Sequence, residues 1–219
     1  MKRNSIIAIS LLIMLLNVSA VPGAGAQRYL TEARALGQFG KSLGDFLKLA
    51  DTLKAKPALT ASDISSLESK AAGIKGSVTQ FRGNLDALIK KHRDAGEWNA
   101  QFDSTIENRL DSELKNFARQ NGGARRLFES ALSGLGGFNS EIDETTGGVR
   151  RRFRGSAPSP QADLLNVAYR PAPAFGKIKC ALLFVAAGAS ALAGFELGEE
   201  EASAAFRKQK CGSNAAPTT

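Results

Sequence analysis

The chain has 219 residues, 43% hydrophobic and 23% charged, with 29 Lys and Arg against 21 Asp and Glu. That apolar content suffices for a packed core and excludes a chain disordered throughout, and a single histidine excludes a His-rich metal site. The net charge of +8 is unevenly spread. Residues 27–149 carry 17 basic against 16 acidic side chains, residues 150–179 carry 7 against 1, and residues 180–219 carry 3 against 4. The basic character therefore belongs to one short segment.

Residues 1–26 have the layout of a cleavable secretory signal: Lys2 and Arg3, an apolar run from Ile6 to Leu16, then small residues ending in Ala24-Gly25-Ala26. The apolar run falls short of the ~20 residues a membrane span needs. The mature chain is expected to start at Gln27 and to be secreted or periplasmic. In such an oxidising compartment Cys180 and Cys211 are expected to pair.

The body, residues 27–149, reads as all-α: an antiparallel up-and-down four-helix bundle, with a C-terminal αα-hairpin closed by the disulfide. Tyr29, Leu36, Phe39, Leu43, Phe46, Ala50 and Leu53 mark the first helix, which Pro57 closes. Beside that seam runs a small-residue stripe, Ala33, Gly37, Gly40 and Gly44. Glycine costs about 1 kcal/mol relative to alanine inside a helix, so the stripe predicts a neighbouring backbone at close range. Ile64, Leu67, Ala71, Ile74, Val78, Phe81, Leu85 and Leu88 step by three and four without a break, which predicts a helix over 62–94 and permits coiled-coil self-association. A third helix is expected from Glu97 to about Gln120, with Trp98, Phe102, Ile106, Leu110, Leu114 and Phe117 inward. A fourth carries Phe128, Ala131, Leu135, Phe138, Ile142 and Val149. Short connections at 95–96 and 121–123 make neighbours antiparallel.

Few residues of the body suggest chemistry. His92 lies at the end of the second helix, as a lone base at the bundle mouth or as a cation suited to the helix C-terminus. Asp103, Glu107 and Asp111 step by four along one expected helix face, a candidate cation site or a solvated stripe. No Glu-x-x-His pair, phosphate-binding loop, dinucleotide fingerprint or nucleophile elbow is present. The sequence accordingly predicts no enzyme, no cofactor, no metal and no catalytic residue.

Arg150, Arg151, Arg152 and Arg154 open a segment, residues 150–176, with Pro158, Pro160, Pro171 and Pro173. Prolines at that density predict an extended linker, and the arginines offer a processing site or an anionic-surface contact. Nucleic acid is not an expected partner of an exported chain. Residues 177–212 follow as an apolar helical hairpin, and residues 213–219 as a disordered tail. No charge lies between Lys179 and Glu196, and a helix apolar on every side must be buried in protein or lipid. The expected function is that of an exported, non-catalytic interaction protein, binding a protein partner or itself through helix faces, with an anionic membrane or envelope surface as a further partner. The alternative is a precursor whose bundle is a prodomain and whose Cys180–Cys211 hairpin is released as a membrane-active, bacteriocin-like peptide.

Overall fold

The computed structural model of the chain describes residues 29–155 and 173–212. The expected signal, most of the expected linker and the tail lie outside those residues. All the described secondary structure is helical.

Helix α1 spans Leu30–Ala55 and α2 spans Ala61–Asp94. Both apolar ladders read from the sequence are buried along their whole length. Helix α2 begins with a capping box. The Thr60 hydroxyl accepts from the Asp63 amide at 3.2 Å, and the Asp63 carboxylate accepts from the Thr60 amide at 2.8 Å. Its last turn carries Lys91 and Arg93, cations suited to the C-terminal dipole, and His92 between them.

The expected third helix is two. Helix α3 covers Ala100–Glu107 and α4 covers Ser112–Gln120, separated at residues 108–111. The expected apolar positions from Phe102 to Leu114 advance by four, and each such step rotates the stripe about 40°. A straight helix would carry Leu114 about 120° around from Phe102, toward the edge of the core face. The break resets the stripe, and Asp111 starts α4 by accepting the Glu113 and Leu114 amides at 3.0 Å each. The expected fourth helix is likewise divided into α5 (Ala124–Gly134), a 3-10 turn at Leu135–Gly137, and α6 (Phe138–Gly155).

Helix α7 (Pro173–Ala193) and α8 (Glu196–Lys208) form the expected hairpin, joined by the Cys180–Cys211 disulfide with Cα atoms 5.5 Å apart. The hairpin is not an appendage to a finished bundle. Helix α7 packs against α1, α3, α5, α6 and α8, and residues 180–192 are buried without interruption. Leu182, Leu183, Phe184, Val185 and Leu192 alone contribute roughly 10 kcal/mol of apolar burial, as an upper bound. The uncharged part of α7, from Cys180 on, thus finds its apolar surroundings in protein, and no described helix is long and apolar enough to cross a membrane.

The α1 stripe makes this insertion possible. A Cβ on Gly40 would lie 2.1 Å from the Ala186 Cβ, one on Gly37 2.2 Å from the Ser190 Oγ, and one on Gly44 3.0 Å from the Ala205 Cβ. The backbone of α1 approaches α7 and α8 as closely as hydrogen-only side chains allow.

Candidate functional site

His92 is 4% exposed and sits where the last turn of α2 meets the start of α1 and the segment before α3. Its Nδ1 lies 2.8 Å from Oε2 of Glu97, and the Tyr29 hydroxyl donates to the same oxygen at 3.1 Å. The Tyr29 ring covers the imidazole at a centroid distance of 3.8 Å, and Phe102 meets it edge-on at 4.9 Å. Lys91 pairs with Glu32 beside it. Arg93 lies over the Trp98 ring and pairs with Glu129 at 2.6 Å, and the Trp98 indole donates to that same carboxylate. This arrangement ties three chain segments together and leaves the imidazole little access to solvent.

The three carboxylates are separated in role. Asp103 accepts from the Arg125 amide at 2.7 Å and from its guanidinium at 2.9 Å, capping α5 from α3. The start of α5 has no cap of its own, because Gly123 stands there at φ +97° with a would-be Cβ 3.1 Å from the Asp103 carboxylate. Glu107 pairs with Arg119 at 3.0 Å. Asp111 caps α4 and receives Arg207 of α8 at 2.7 Å. Each carboxylate has its own cation or helix end, and among the described residues no group of His, Cys, Asp and Glu has metal-binding geometry.

The arginine run, expected in an extended linker, is the last part of α6. Arg152 reaches the end of α1, donating to the carbonyls of Leu53 at 3.0 Å, Lys54, and Lys56 at 2.5 Å. A helix C-terminus leaves its last carbonyls short of partners, and here a side chain distant in sequence supplements the one long bond from the Lys56 amide to the Leu53 carbonyl and so caps α1. Arg150 lies 3.5 Å from Glu68 of α2. Arg151 and Arg154 are exposed. Residues 156–172, with the remaining linker, lie outside the described residues.

Two open clefts mark the surface. One, about 160 Å³, lies between α1 and α2 over Phe39 and Phe81 and is walled by Gln38, Ser42, Ser77, Gln80 and Asn84. The other, about 270 Å³, lies between α2 and α6 and is flanked by the Lys75–Asp143 and Arg150–Glu68 pairs. Two hydroxyls that line them are turned to their own helices: Ser77 donates to the Ile74 carbonyl at 2.8 Å and Thr146 to the Ile142 carbonyl at 2.8 Å.

One surface feature escapes a search for apolar or ionisable motifs. Ser66, Ser69, Gly73, Gly76, Gln80 and Gly83 are exposed on α2, and they step by three and four as regularly as the buried ladder. A Cβ added at Gly73, Gly76 or Gly83 would meet nothing within 4 Å. The signal was present as a second three-four ladder on the same helix, written in small residues except at Gln80. No protein-family model, curated protein or solved structure matches the chain.

Proposed function

We propose that this is an exported, non-catalytic helical scaffold that binds a helix of a partner protein along the outer face of α2. The observation that carries the reading is the contrast among helix glycines. Each glycine within a helix costs about 1 kcal/mol relative to alanine. In α1 that cost is offset by a backbone contact inside the molecule, whereas Gly73, Gly76 and Gly83 have open space around them. A partner helix laid on α2 would gain there the close approach that α7 gains on α1. Supporting the non-catalytic part, His92, Asp103, Glu107 and Asp111 are all engaged in holding helix ends and connections together. The export part rests on the sequence of residues 1–26.

The test is capture from the envelope fraction of the producing cell. Wild-type protein is expected to retain a partner that a Gly76→Arg and Gly83→Arg double variant loses, with both proteins equally helical by circular dichroism. Equal recovery by the two would overturn the assignment to α2. The alternative, release of the Cys180–Cys211 hairpin as a membrane-active peptide, has less support, because residues 180–192 of α7 are buried without interruption among the other described helices. It calls for a protease-released disulfide-bonded fragment that permeabilises liposomes.

A further inference from the structure

Among the described residues the excess of positive over negative charge lies at one end of the fold. Helix α6 finishes there with Arg150, Arg151, Arg152 and Arg154, against the end of α1, where Lys54 and Lys56 lie. Helix α8 finishes at the same end. The Gln209 amide donates to Asp51 of α1 at 2.8 Å, and its carbonyl oxygen accepts from Lys179 at the start of α7 at 2.6 Å. The disulfide closes beside them, with Arg207, Lys208 and Lys210 around Gln209.

Counting the carboxylates that pair with its cations or pack against its chain ends, this pole holds ten Lys and Arg against five: Asp51, Asp63, Glu68, Asp111 and Glu113. Elsewhere, among residues with described side chains, fourteen Lys and Arg face fifteen Asp and Glu. The pole is therefore +5 and the remainder −1. In the sequence these cations come from four stretches, at 54–56, 150–154, 179 and 207–210, so only folding makes them one patch.

We infer that this pole is a docking surface for an anionic phospholipid bilayer, on which the protein stands peripherally with the bundle axis away from the membrane. Charge complementarity selects the occupant. Several cations presented together attract an anionic leaflet additively, and none of the described helices can anchor by spanning it. Nucleic acid is the less favoured polyanion, because the described part of the pole offers one aromatic side chain, Phe153, and that is partly buried against the core. The inference is independent of the α2 face, which lies along the side of the bundle, so either can fail alone.

The experiment is flotation of the full, disulfide-bonded protein with vesicles of phosphatidylcholine alone or mixed with phosphatidylglycerol, at low and high salt. Binding is expected only to the anionic vesicles and is expected to vanish at high salt. Arg151→Glu with Arg154→Glu removes two exposed cations of the pole. At about fivefold per cation lost, this variant should bind at least ~30-fold more weakly. Arg34→Glu with Lys90→Glu makes the same change in net charge at the far end of α1 and α2 and should leave binding unaltered. Equal losses in the two variants would show attraction by net charge alone and overturn the assignment to the pole. So would binding to neutral vesicles, or tighter binding to duplex DNA than to anionic vesicles. Circular dichroism of both variants checks that they are folded.

Discussion

Helices α1 and α2 lie side by side, both carry glycines in mid-helix, and they are stabilised in opposite ways. Helix α1 is poor as an isolated helix. Its first residue follows Tyr29, which makes no side-chain cap, its glycines weaken it, and its last carbonyls are capped by Arg152 from α6. Its order comes from α2, α7 and α8 packed around it. Helix α2 brings its own ends, a capping box at Thr60 and three basic residues in the last turn, and its glycines face outward. The same residue type therefore records tight internal packing in one helix and an unfilled surface in its neighbour. Only contact, not composition, tells the two apart.

The largest effect should come from loosening what α1 packs against. Replacing Cys180 and Cys211 by serine removes a cross-link between residues 31 apart, worth about 3–4 kcal/mol on the chain-entropy account. If α1 depends on the α7–α8 hairpin as the contrast implies, hydrogen exchange in this variant should rise throughout α1 before it rises in α2. A uniform rise across both helices would remove the contrast. Next in size is Gly40→Ala. Its new Cβ would stand 2.1 Å from that of Ala186, both fixed to backbone, so α1 and α7 must separate. The overpacking cost of 1–3 kcal/mol exceeds the gain in helix propensity, and urea unfolding should show a net loss of about 1–2 kcal/mol. Gly37→Ala should lose less, since the Ser190 hydroxyl it meets can change rotamer.

The apolar ladders were legible in the sequence because burial along a helix leaves a periodic trace, and every seam residue from Ile64 to Leu88 is inside. The α1 glycines also announced a close neighbour, without naming it. The identity of that neighbour was not legible. An uncharged helical run such as residues 180–193 satisfies the same requirement in lipid, beside a bundle or at its centre, and the choice depends on residues more than a hundred positions away. The break at residues 108–111 was hidden for a different reason. Asp111 suits a helix face at i+4 from Glu107 as well as it suits the cap of a new helix, and the reset of the stripe became visible only against the core. The arginine run misled because the nearby prolines signal extension, while α6 gains from three carbonyls at and just past the end of α1 that local sequence does not contain.

On the α2 side the effects are smaller and partly of opposite sign. Gly73→Ala and Gly83→Ala should each raise stability by about 0.5–1 kcal/mol, because the added methyl meets open space and the unfolded chain loses freedom. Thermal melts of the single and double variants test this. A loss of stability would mean that the outer face of α2 is already covered in the free protein, and the proposed docking face would go with it.

The smallest effect concerns the start of α2 and depends on pH. Lys56 at 2.6 Å, then the Thr60 amide and hydroxyl, hold the Asp63 carboxyl down at about 2. A folded value below the unfolded one, near 3.9, means the unfolded chain binds the proton more readily. Asp63 therefore contributes its full stabilisation above about pH 4 and loses it as pH falls through about 2. Asp63→Asn should remove that part of the acid dependence, so wild type and variant converge in melting temperature across this window. Because α2 caps itself, the convergence should be accompanied by fraying at residues 61–64 and leave α1 unchanged. Loss of α1 protection in the same pH range would mean that the two helices share their stability after all.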